Sequence, residues 1–344
     1  MFVLAFQRVA LSDSARVGGK SAHLGDLARA GFAVPPGYAI TTEAFDALVR
    51  DRVDALLAGL DLADIDGVER RSEAARELVE GLEIPTEIRE AIAGAYDELG
   101  KLVGLDEPPV AVRSSAVAED GADASFAGMQ STFLWRRGLD DVLDGVRRCF
   151  ASYYNAEAIM YRAEHGSAAG MSVAVQYMVD ARVAGVMFTL NPLNGDPSSI
   201  AIDASYGLGV TVVGGDVTPD TYLYSKVTRE LQRSQIGSKS IECVVDRELG
   251  RTVDQDVDEE RRGRLCLTIA EVEQLAELGR GVERHYGCPQ DLEWAIDRDR
   301  NELFLLQARP ETVWAQKRLT RVEPKVQDAI ASIAATFMGG RSPK

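Results

Sequence analysis

The chain has 344 residues, with 46% hydrophobic and 27% charged residues, ordinary for a soluble globular protein of two or three packed lobes. A formal net charge of −16 argues against a general nucleic-acid binder, which needs a basic surface, although a local anion pocket needs only a few cations. Four cysteines, at 149, 243, 266 and 288, form no CxxC pair and lie at no metal-ligand spacing from a histidine, so buried or free thiols in a reducing compartment are expected.

In chain order, MFVLAFQRVALSDSA lacks a basic leader and reads as a first strand. No apolar run approaches the ~20 residues of a membrane span. A cytoplasmic protein without membrane or nucleic-acid partners is therefore expected. GGKSAHLGDLARAG, 18–31, reads as a glycine turn into a helix, and VPPGYAITTEAF as a proline-bounded strand followed by a capped helix. Residues 43–101, rich in Ala, Leu, Glu and Arg at helical spacing, form a helical elaboration without visible chemistry.

PVAVRSSAV, 109–117, is a strand entering a loop; GADASFAG, 121–128, is a small-residue loop; 139–165 look helical. Residues 171–190 read as two strands joined by a turn near Asp180 to Arg182. IAIDASYGLG, TPDTYLYSK and a run at 241–246 add strands. Residues 267–287 predict a helix with Thr268 as N-cap and Glu271 three residues on, a capping box. The tail from about 316 to 344 reads as an amphipathic helix ending in GGRSPK. Strands and helices are mixed rather than strictly alternating, which predicts α+β lobes with antiparallel sheets.

DLEWAIDRDRNELFLLQARPETVW, 291–314, predicts a hairpin turning at DRDRN. A register centred near residue 300 sets Glu293 opposite Gln307 and Asp291 opposite Arg309. All four then share one face, with Leu292, Trp294 and Ile296 packed behind. Such a face is either a solvated, salt-bridged surface or a metal–polyphosphate site, since Mg²⁺ takes carboxylate and phosphate oxygens and Arg matches phosphate in a planar fork.

Other candidates carry the same ambiguity. Lys20, at a helix start after Gly18 and Gly19, suits an anion or a plain surface lysine. Arg113, at the exit of an apolar strand, needs an anionic partner, either a ligand or a structural salt bridge. The loop 121–132 offers backbone amides for phosphates or is ordinary surface. Gln176 reads an adenine edge or caps a sheet edge. His23, His165 and His285 lie in no nucleophile-like setting.

Taken together, GGKSAHLGDLARAGFAVPPGYAITTEAF, AVRSSAVAEDGADASFAGMQSTFLW, VAVQYMV, GVMFTLNP, GLGVTVVGGDVTPD and DLEWAID…LFLLQARPETVW occur in this order over roughly residues 3–314. They resemble the nucleotide-binding domain shared by phosphoenolpyruvate synthase, pyruvate phosphate dikinase and rifamycin phosphotransferase. The resemblance implies an ATP-grasp fold: an N-terminal lobe over 1–170, a C-terminal lobe over 171–315, ATP in the cleft between them, and the tail beyond. By motif position it implies that Lys20 and Arg113 contact ATP phosphates, that Gly128 and Thr132 belong to the covering loop, and that Gln176 contacts the nucleotide. It further implies that Glu293 binds Mg²⁺ with Asp291 beside it, and that Gln307 and Arg309 complete the metal and phosphate end. Lys20, Arg113 and Arg309 are the implied catalytic residues.

The family's reaction passes the β,γ-pyrophosphoryl group of ATP to a histidine on a swivelling domain, leaving AMP. Two departures stand out: Val210 replaces the glutamate common after GLG, and neither a swivelling-histidine motif nor an acceptor barrel is present. The resemblance thus points to one subunit of a split enzyme, as in the ATP-binding subunit of phenylphosphate synthase, with a partner subunit carrying the phosphohistidine and acceptor-binding domains. A catalytically silent nucleotide-binding module and the ATP domain of an antibiotic phosphotransferase are the alternatives.

Overall fold

The computed structural model describes residues 1–116, 131–165, 170–312 and 314. Its strands are β1 (Val3–Ala5), β2 (Gly37–Ile40), β3 (Val110–Ala116), β4 (Thr132–Arg136), β5 (Met171–Tyr177), β6 (Ala181–Phe188), β7 (Ser199–Tyr206), β8 (Asp220–Ser225), β9 (Glu230–Gln235), β10 (Ile241–Asp246), β11 (Arg251–Asp256), β12 (Gln290–Asp297) and β13 (Leu303–Pro310). The α-helices are α1 (Ser14–Arg29), α2 (Thr42–Phe45), α3 (Asp51–Leu57), α4 (Ile65–Glu80), α5 (Thr86–Val103), α6 (Leu139–Ser152), α7 (Ala156–His165), α8 (Val210–Val213), α9 (Glu259–Arg262) and α10 (Ile269–Tyr286).

Two sheets organise the chain. The first runs β1-β2-β5-β3-β4 and the second β13-β12-β6-β7-β8-β9, with β10 and β11 as a separate hairpin. Every strand pairing is antiparallel, and the mixture of helices with antiparallel sheets is the expected α+β class. One boundary moves. β5 pairs with β2 and β3, so it completes the first sheet instead of opening the second lobe at 171. The crossing between sheets comes after it, at 178–180. Strands β9 and β11, which the sequence does not announce, extend the second sheet and close the small hairpin.

Alternation on β3 explains the first sheet's two faces. Val110 and Val112 turn to a core with Phe45, Ile92, Phe150, Val173 and Val175, closed by the helices of the 42–103 stretch and α6. Arg113 and Ser115 turn the other way, toward α1 and the second sheet. The second core holds Met187, Ile202, Tyr222, Leu275 and Trp294, with Trp294 wholly buried. Covering it is α10, which starts as predicted: Thr268 accepts from the Glu271 amide, and Glu271 accepts from the Thr268 amide. It ends at Gly287, whose φ of 71° suits the left-handed cap that glycine adopts without Cβ strain.

All four cysteines are free, and three are buried. Among the described residues no helix is long and apolar enough to cross a membrane. The loop 121–128 with Gly128 and the tail 316–344 lie outside the described residues.

Candidate functional site

The GGK turn is pinned to the end of β3. Gly18 has φ 70° and breaks the helix, so the regular part of α1 begins at the glycines, as the sequence suggests. A Cβ at Gly18 would lie 2.2 Å from Ser115 Oγ and 2.3 Å from its carbonyl oxygen, so only glycine permits this approach. Ser115 Oγ donates to the Val17 carbonyl at 3.2 Å, and the Ser21 amide donates to Ser115 Oγ at 3.5 Å. The turn thereby delivers Lys20, only 7% exposed, to the strand, where its Nζ donates to the Ser114 carbonyl at 3.4 Å.

Directly paired antiparallel residues share a face. Arg113 pairs with Ala174 and with Thr132, while Gln176 pairs with Ala111 on the same face. Arg113, Thr132 and Gln176 therefore look the same way. Thr132 is exposed beside Arg113. Gln176 is buried, and its Nε2 donates to the Pro35 carbonyl at 3.5 Å, so its amide nitrogen is engaged with backbone.

From the opposite sheet comes the β12–β13 hairpin. Its register is the expected one, Glu293 opposite Gln307 and Asp291 opposite Arg309, and Leu292, Trp294 and Ile296 are buried behind. A bulge after Glu293 then shifts the pairing, so Trp294 faces Leu305. The four polar side chains thus stand on the inner face, toward the first sheet.

Arg113 spans the gap between the sheets. Its guanidinium donates to Glu293 Oε2 at 2.9 Å, to Gln307 Oε1 at 2.8 Å and to the Leu306 carbonyl at 3.5 Å. Burial pushes the Glu293 carboxyl up, but the charges of Arg113 and Lys20 and the hydrogen bond from Arg113 outweigh it and hold the group below the ordinary glutamate value. Beside this cluster, Arg309 Nε donates to Asp291 Oδ2 at 3.3 Å. Burial raises the Asp291 carboxyl to about 6 despite Arg309, with Glu311 adding to the rise, and Asp291 Oδ1 is buried without a partner.

The structure thus brings Lys20, Arg113, Thr132, Glu293, Gln307, Asp291 and Arg309 together between the two sheets, and Gln176 lies on the same face of the first sheet as Arg113. Among the described residues, no three His, Cys, Asp or Glu side chains form a ready-made metal cage. Mg²⁺ commonly takes one or two protein carboxylates, with polyphosphate oxygens and water supplying the remainder. Glu293, Asp291 and the Gln307 amide oxygen fit such a set. Sequence reasoning missed that Arg113 and Glu293 hold each other across the cleft. It also missed Asp203 on β7, although the alternation Ile200, Ile202, Ala204 marks Asp203 as turned away from the core.

An apolar cluster also links the two sheets. Ala184 and Ala295 from the second sheet pack there with Leu208, Val179 and, less buried, Leu134, Met178, Phe304 and Leu306.

Comparison with known proteins extends these observations. The pattern of the "Pyruvate phosphate dikinase, AMP/ATP-binding domain" family matches residues 14–329. The chain is 44% identical over 320 residues to "Probable phosphoenolpyruvate synthase" of Methanothermobacter thermautotrophicus, covering 90% of this chain and 46% of that protein. It is 36% identical to phosphoenolpyruvate synthase of Pyrococcus furiosus, covering 95% of this chain and 46% of that protein. It is 40% identical to phosphoenolpyruvate synthase of Pseudomonas aeruginosa, covering 94% and 43%. The chain spans about half the length of these relatives. D-alanyl-alanine synthetase A from Vibrio cholerae aligns over 70% of this chain and 54% of its own at 10% identity, with a TM-score of 0.27, too slight a likeness to weigh. On the family match, with its two-lobed α+β architecture of ATP-grasp type, the chain belongs to the pyruvate phosphate dikinase AMP/ATP-binding domain family.

Proposed function

We propose that the cleft binds Mg-ATP and that the chain is the ATP-using catalytic part of a phosphoenolpyruvate-synthase-like dikinase. The β,γ-pyrophosphoryl group passes to a histidine on a partner subunit, and AMP leaves. Hydrolysis of the pyrophosphohistidine then releases phosphate and leaves phosphohistidine, which serves an acceptor such as pyruvate or phenol.

One observation carries this reading: Arg113 is held by both Glu293 and Gln307 from the opposite sheet. Arg113 and Glu293 neutralise each other in a partly buried place. A magnesium-loaded triphosphate matches both halves of that pair. Its phosphate oxygens suit Arg113 and Lys20, and its metal suits Glu293 and the Gln307 amide oxygen. Magnesium, when bound, supplies charge neutralisation on the phosphate oxygens. The chain's own residues bind, orient and neutralise, which is where phosphoryl transfer gains most of its rate. Arg309, half exposed beside Asp291, is the further cation at the phosphate end. Thr132 and the loop holding Gly128 cover the phosphates in this reading, and Gln176 contacts the base.

The test is product analysis of Mg-ATP turnover, with the chain alone and with a histidine-bearing partner. We expect AMP and phosphate, with acid-labile label from β-labelled ATP on the partner's histidine. ADP as the sole product would refute the dikinase assignment. Binding of ATP without turnover under any pairing would favour a catalytically silent module.

A further inference from the structure

The second sheet sets one row of side chains across the floor of the cleft. Gln307 pairs with Glu293, Glu293 with Val186, and Val186 with Asp203. Since paired antiparallel residues share a face, all four look into the cleft. With strands about 4.8 Å apart, Asp203 and Glu293 have backbones about 10 Å apart, with only Val186 between them.

Asp203 differs from every other acid of the cleft. Glu293 is held by Arg113 and Asp291 by Arg309, whereas the Asp203 carboxylate has no hydrogen-bond or ion-pair partner among the described residues. It is neither exposed nor sealed, and burial alone pushes its carboxyl up. Its paired neighbours on this face are Val186 and Thr221, and Ala201 and Ser205 flank it along β7. An unpaired, half-buried carboxylate costs the fold stability. A ligand that brings hydrogen-bond donors removes that penalty.

We infer that Asp203 accepts a hydrogen bond from the ribose hydroxyls of the bound nucleotide, a sugar-binding contact on β7. This rests on the nucleotide reading given above. With the phosphates over Arg113 and Lys20, a carboxylate across the row is badly placed for phosphate, which it would repel. Ribose lies at about that remove from the terminal phosphates, and its two vicinal hydroxyls are donors. A cation is the poorer match, since one carboxylate with a threonine hydroxyl beside it supplies too few of the oxygens that a divalent ion requires.

The experiment measures binding of ATP, 2′-deoxy-ATP and 3′-deoxy-ATP by calorimetry in the presence of Mg²⁺, for the wild-type chain, Asp203→Ala and Asp203→Asn. We expect wild type to bind ATP about tenfold or more tightly than at least one deoxy analogue, as a hydrogen bond to a charged acceptor gives. Asp203→Ala should lose that preference and bind all three alike, with its melting temperature equal to or above that of wild type. Asp203→Asn, which keeps an acceptor oxygen, should fall between them. Unchanged preference in Asp203→Ala, or no preference in wild type, would overturn the assignment. A uniform loss with a lowered melting temperature would mean a structural role and would also overturn it. No ATP binding by wild type is a different failure: the nucleotide reading would fall first, and this contact with it.

Discussion

Two ion pairs, one within the second lobe and one between the two sheets, use the same chemistry and serve opposite ends. Lys239 and Asp220 are both fully buried, and every neighbour completes them: Asp220 accepts from the Gly237 and Cys266 amides, and Lys239 donates to the Gly237 and Arg262 carbonyls. That pair ties β8 to the segment between β9 and β10 and to the end of α9 with the residues after it, and leaves nothing to exchange. Arg113 and Glu293 meet across the two sheets, with side chains 14% and 25% exposed, and Arg113 Nε is buried without a partner. A closed, saturated pair holds a fold. An open, unsaturated one between lobes can be exchanged for ligand. Solvent access and leftover hydrogen-bonding capacity separate the two, and neither quantity is written in residue type.

This contrast can be broken in several ways. Asp220→Ala strands a buried ammonium and should cost about 3–5 kcal/mol of stability, measured as a fall in the denaturant midpoint; a loss below 1 kcal/mol would show that the pair is not structural. Arg113→Ala should lower Mg-ATP turnover, measured with the histidine-bearing partner, by about 100-fold through loss of a charged phosphate contact. Its cost in stability should be much smaller than that of Asp220→Ala.

A smaller effect sharpens the picture at the rim. The folded Asp291 carboxyl sits at about 6, above its unfolded value of 3.8, so the native state holds its proton more tightly. Stability from this group is therefore full below about pH 4 and is lost as pH rises through 6. Asp291→Asn should flatten that part of the stability–pH curve, and an unchanged curve would contradict the buried, underpaired environment.

How far the sequence reaches follows the range of each interaction. The hairpin register, with Glu293 opposite Gln307 and Asp291 opposite Arg309, was legible because a short turn and strict alternation determine it locally. So was the Thr268–Glu271 capping box, which spans four residues. The placement of β5 in the first sheet was not, because sheet order depends on which distant strands pair, and 171–190 read equally well as one hairpin. The bulge after Glu293 and the row ending at Asp203 were hidden for the same reason. Arg113 was visible as a residue in need of an anion, but only the fold shows that the anion is Glu293, 180 residues away.

The most direct measurement is calorimetric titration of Mg-ATP into wild type, Arg113→Ala and Glu293→Gln. If the Arg113–Glu293–Gln307 cluster is the triphosphate seat, wild type binds, Arg113→Ala weakens binding by about 10- to 100-fold, and Glu293→Gln loses the Mg²⁺ dependence of what binding remains. Equal affinity in all three would contradict it and would place the nucleotide elsewhere on the chain.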